Sequence, residues 1–151
     1  QNISPECGMR NEGGESWSAF DVLGHLVYGE KSHWMQRIDV VLSTGPQKTF
    51  QAFDRFAQFA ESKGKTMAQL LDEFKQLRRR NLEQLKSRNL TEADLDKTAA
   101  HPALGTVTLK NLLAAWAVHD LTHLAQITRV MAKQYKEDVG PWIESYNLLK
   151  K

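Results

Sequence analysis

Three stretches of this chain place apolar residues at three- and four-residue steps over several turns, and no stretch alternates with period two for more than a few residues. Phe20, Leu23, Val27, Trp34, Ile38 and Val41 make the first stripe. Met67, Leu70, Phe74, Leu77 and Leu85 make the second, and Leu112, Leu113, Trp116, Leu124, Ile127, Val130 and Met131 the third. A side chain recurring every three or four residues lines one face of an α-helix, and three such faces must bury one another. The spacing therefore predicts an all-α protein, an up-and-down helix bundle.

Local signals give the boundaries. Ser16 or Ser18 can accept from first-turn amides and open the first helix, which should run on without a break until Gly45 and Pro46. Thr66 with Gln69 three residues on reads as a capping box for the second, fraying near Ser87 to Asn89. The third should start after Thr108 and continue to about Tyr135, ahead of Gly140 and Pro141. Between the first two lies a Phe-rich segment, Phe50 to Phe59, expected to be irregular with a short helix. Residues 1–15 lack any amphipathic period and read as an irregular segment, the tail of something removed, so that residues 1–151 form one domain.

Composition limits the roles open to such a bundle. Hydrophobic residues at 41% and charged residues at 25% match an ordinary globular domain, and no apolar run nears the roughly 20 residues that span a bilayer. A net charge of +2 is too small for a phosphate-binding surface, and Arg78, Arg79 and Arg80 fan around their helix as a solvated face. The sequence thus argues against nucleic-acid and membrane partners. Cys7 is the single cysteine, which fits a reducing, cytoplasmic setting.

The chemistry concentrates in "HDLTH", residues 119–123. Residues four apart in a helix share a face, so His119 and His123 point the same way, His123 inside the apolar arc and His119 at its edge. Buried imidazoles need partners. One reading gives them backbone carbonyls or Asn81, a polar residue in the second helix's stripe that is also the candidate to bind a cofactor there. The other is metal ligation, with His25 as the third ligand and Asp21, one turn earlier, orienting its ring. Asp120 stands where the HExxH metalloprotease motif has glutamate and lies about 100° from His119, too far round to reach the same ion. His33 projects from another face, and His101 sits in a loop before Pro102. Glu30 is the candidate general base, with pairing to an Arg or Lys as the alternative.

"WSAFDVLGHLVYGE", "HPALGTVTLKNLLAAWAVHDLTHLAQITRVMAKQY" and "VGPW" together resemble the DinB-like (DinB/YfiT) superfamily of metalloenzymes, from about Trp17 to Trp142. The resemblance implies a four-helix bundle with one divalent ion, Zn²⁺ or Ni²⁺, on His25, His119 and His123. It also implies a small-molecule substrate and a role as a thiol-dependent S-transferase using a low-molecular-weight thiol, or as a hydrolase. The alternative is a non-catalytic bundle in which the ion only ties helices together around a ligand or partner. In that family a first helix precedes the "WS" motif, and here none is legible. The apolar groove so left should be covered by a second copy in a homodimer, by the Phe50–Phe59 segment, or by a helix outside this chain.

Overall fold

The computed structural model describes residues 4–150; Gln1, where the expected tail begins, lies outside them. Its helices are α1 (Pro5–Met9), α2 (Ala19–Ser32), α3 (Trp34–Leu42), α4 (Ala57–Ser62), α5 (Met67–Ser87), α6 (Glu92–Leu95), α7 (Leu109–Lys133) and α8 (Asn147–Lys150), with a 3-10 helix at Gly140–Ser145. The three long segments open as their sequences predict. Ser18, Thr66 and Thr108 each accept from the backbone amide three residues on, and the side chains of Asp21, Gln69 and Asn111 accept in return from the cap amides. Asp21 is thereby committed to capping α2 and does not orient His25, contrary to expectation.

The first long helix is broken. His33 adopts φ −123° and ψ −67°, separating α2 from α3. The sequence has no Gly or Pro there to announce it; the cause is packing, because the Trp34 indole folds back over Gly29, where a Cβ would stand 3.4 Å from its Nε1. A second departure is a two-stranded antiparallel hairpin, β1 (Thr98–His101) with β2 (Gly105–Thr108), turned by Gly105 at φ +73°. The all-α reading did not include it, and its strands are only four residues long. The hairpin anchors the Phe-rich loop: Phe50 N donates to Ala100 O at 2.9 Å, and Ala100 N to Lys48 O at 2.6 Å. The expected irregular N-terminus also contains a short helix, α1, capped by the Ser4 hydroxyl.

Two apolar clusters hold the bundle. Phe20, Leu23 and Val27 of α2 meet Leu70 and Leu77 of α5. Trp34, Met35, Ile38 and Val41 of α3 meet Leu109, Leu112 and Trp116 of α7, with Phe50 and Ala99 sealing one end. α2 is thus the central element, flanked by α5, α7 and α4. α4 comes close enough that a Cβ on Gly24 would lie 2.4 Å from Ser62 Oγ. One member of the third sequence stripe is misplaced: Leu124 is 60% exposed, and Leu121 and Val118 beside it are exposed as well. The Phe-rich segment packs on the α2 side and leaves this outward face of α7 uncovered. No described helix is long and apolar enough to cross a membrane.

Candidate metal centre

α2 and α7 cross where each carries histidine, and three imidazole nitrogens meet there. His25 Nε2 stands 3.0 Å from His119 Nε2, which stands 3.1 Å from His123 Nε2. His119 and His123 converge because they are one turn apart on α7. His25 is buried at the opposing position of α2. Nitrogens bound at about 2.0–2.1 Å in a tetrahedron lie about 3.3–3.4 Å apart, so these two contacts need open by only a few tenths of an ångström for the three to hold one ion. Among the described residues this is the group of histidine, cysteine or carboxylate side chains arranged to share an ion.

Tautomers support the fit. His123 Nδ1 lies 2.9 Å from Gln126 Oε1; a carbonyl oxygen can only accept, so the proton sits on Nδ1 and the Nε2 lone pair is free. Gln126 is three residues beyond His123 on the same face, a spacing legible in the sequence but not singled out. The Nδ1 atoms of His25 and His119 are buried without a hydrogen-bond partner.

Burial, reinforced by the like charge of neighbouring imidazoles, pushes His25 and His119 down to about 4. Burial likewise lowers His33 to about 3, with Arg37 as the next cause. All three are neutral near pH 7, the form that can ligate. Because their folded values lie below the unfolded value of about 6.5, the unfolded chain binds more protons as pH falls. The stability these groups contribute is therefore intact above pH 6.5 and lost on going down to about pH 3–4. The urea midpoint of the metal-free protein should fall steadily from pH 7 to pH 4; a flat profile would mean that the imidazoles are solvated.

Aromatic rings collar the cluster. Trp17 and Phe53 lie 5.1 and 5.7 Å from the His25 ring, and Trp34, stacked on Trp116, meets the His119 ring edge-on at 5.2 Å. Trp17 and Trp34 lie in segments that could have been chosen from sequence; Phe53 sits in irregular backbone and carries no periodic signal.

The other candidates lie elsewhere. Glu30, with its side chain 1% exposed, accepts from Arg78 Nη2 and Trp116 Nε1 at 2.9 Å and from Asn81 Nδ2 at 3.0 Å. Asn81 Nδ2 also donates to Glu30 O, so both its amide donors go to Glu30 and neither to an imidazole. Asp120 accepts from both terminal nitrogens of Arg78, at 2.5 and 2.9 Å, and stays off the histidine cluster as its helical position predicts. Arg78 is accordingly no solvated surface cation. Burial works against its charge, but the hydrogen bonds it donates to Asp120 and Glu30 outweigh burial and hold it above its ordinary value. His33 touches Trp34 and Phe53 without joining the cluster, and His101 Nδ1 accepts from the amides of Ala103 and Leu104 in the hairpin turn.

The sequence model of the DinB superfamily matches residues 2–127. Among solved structures, YfiT from Bacillus subtilis, described as a probable metal-dependent hydrolase with an unusual four-helix bundle topology, superposes with a TM-score of 0.66 at 20% identity, covering 87% of this chain and 74% of that one. At that identity the likeness speaks for the fold. No curated protein matches the chain.

Proposed function

The chain belongs to the DinB superfamily, and on that premise we propose that it is a metal-dependent enzyme acting on a small molecule, with His25, His119 and His123 holding one Zn²⁺ or Ni²⁺. The observation that carries this reading is the convergence of three Nε2 atoms at 3.0–3.1 Å contacts. Three neutral imidazoles leave the ion its full charge, and when bound it would lower the pKa of a water toward 7 or hold a thiolate. The chain's own residues contribute the rest. His123 is fixed in the ligating tautomer by Gln126, the depressed basicity of His25 and His119 keeps them neutral, and Trp17, Trp34 and Phe53 pack against the ring edges.

Hydrolysis is the form we favour, since its only co-substrate is water and it agrees with the description of the structural neighbour. Transfer to a low-molecular-weight thiol is the second form, and the lone Cys7 supports a reducing, cytoplasmic setting for it. The test is a panel of small esters and amides, and of thiol-plus-electrophile pairs, run with Zn²⁺- or Ni²⁺-loaded and EDTA-stripped protein. Turnover that appears with the ion and is lost with EDTA is expected. Absence of metal-dependent turnover across the panel would favour the non-catalytic reading, in which the ion only ties α2 to α7.

We further infer that two copies pair through α7. Its outward positions Ala114, Ala117, Val118, Leu121, Leu124 and Ala125 are all exposed and all uncharged, so two copies can cross there without facing like charges. Leu71 and Leu82 of α5 are exposed apolar residues as well. Sedimentation at micromolar concentration should give a dimer, converted to monomer by Leu121→Glu with metal content unchanged. A wild-type monomer would overturn the pairing.

A further inference from the structure

Beyond Phe53, on the side away from the three histidines, a surface cleft of about 300 Å³ opens between the α2–α3 junction and the loop at residues 50–54. That volume suits a small ligand. Its lining includes Tyr28, Ser32, His33, Arg37, Phe50 and Phe53. The unusual member is Arg37. Its guanidinium lies 4.8 Å from the centre of the Phe50 ring, and its one hydrogen bond is a long one, from Nη2 to Gln51 O at 3.5 Å. Among the described residues no carboxylate comes within ion-pair distance of it, whereas the half-buried Arg78 has two. Asp54 also lines the cleft, but its Oδ1 accepts from the Phe56 amide at 2.9 Å and is turned to its own backbone. Burial lowers Arg37 below its ordinary value, the mark of a cation short of partners.

A guanidinium presents a planar fork of donors that matches a carboxylate, and a half-buried fork with one long hydrogen bond and no carboxylate is costly. The walls around it are aromatic. We propose that this cleft is a binding subsite for an aromatic monocarboxylate, whose carboxylate pairs with Arg37 while its ring lies against Phe53 and Tyr28. The subsite adjoins the metal centre: Phe53 touches both His33, at 4.5 Å between ring centres, and His25, at 5.7 Å. Trp34 spans His33 and His119 in the same way. None of the three histidines lines the cleft, so the subsite stands independently of the proposed function.

Benzoate is the probe and benzamide its uncharged counterpart, titrated by calorimetry or amide chemical shift into the wild type and into Arg37→Gln and His123→Ala. Saturable benzoate binding is expected, weakened at least tenfold in Arg37→Gln, at least tenfold weaker for benzamide on the wild type, and unchanged in His123→Ala. Equal binding of benzoate and benzamide to the wild type would overturn the proposal whether or not Arg37→Gln folds. So would absence of saturation, or loss of benzoate binding in His123→Ala, which would put the carboxylate on the metal. Failure of the protein to retain any ion would remove the metal reading and leave the benzoate result standing.

Discussion

Replacing His123 with alanine should abolish metal retention, His33→Ala should leave it intact, and Gln126→Ala should fall between. His123 supplies one of three nitrogens, and two imidazoles with Nε2 atoms 3.0 Å apart cannot replace a third corner. Gln126 only fixes the His123 ring through Nδ1, so its loss should cost the roughly 10–100-fold in affinity expected for an outer hydrogen-bond partner. His33 is the control that matters, being as buried an imidazole by environment as the ligands and depressed further, to about 3, yet outside the cluster. Metal content after gel filtration, followed by competition with a chromophoric chelator, gives the three affinities. Equal metal content in His123→Ala and His33→Ala would remove the three-histidine assignment, because the ion would then be held by histidines in general and not by this geometry.

Much of this centre can be read from the chain because α-helical periodicity is a local property. The four-residue step from His119 to His123 places both on one face whatever else the protein does, and the caps at Ser18, Thr66 and Thr108 fix where the helices begin. Which residues oppose that face is a matter of how α2 lies against α7. His25 could be nominated because small neighbours allow close approach, but Asp21 could not be excluded as its partner until the capping box claimed it. Leu124 shows the same limit from the other side. Periodicity assigns it to an apolar arc, yet that arc is wider than the face α2 and α3 cover, and Leu124 falls on the remainder. The break at His33 was invisible because it is marked by no Gly or Pro and comes from the Trp34 indole packing over Gly29, and the hairpin after α6 because its strands are only four residues long.

Glu30 illustrates how a titratable group in an apolar stripe divides into two readings that burial alone cannot separate, since a general base and an ion-pair anchor are both buried carboxylates. Geometry separates them. Each Glu30 oxygen is already engaged, Oε1 by Arg78 and Trp116 and Oε2 by Asn81, and Arg78 bridges onward to Asp120. One carboxylate thereby ties α2 to α5 and α7, the three helices that carry or support the histidines. Glu30→Ala should therefore act on stability. Removing one partner of a buried ion pair costs about 3–5 kcal/mol, and for a chain of this size each kcal/mol shifts the melting temperature by about 2–4 °C, so a fall on the order of 10 °C is expected. Glu30→Gln keeps the shape and one acceptor, and should lose less. Below its melting temperature each variant should still retain metal, because neither alanine nor glutamine at position 30 removes a ligand nitrogen. Calorimetry paired with metal analysis separates the two roles: unchanged melting in Glu30→Ala together with loss of metal-dependent turnover would return Glu30 to the position of a catalytic base.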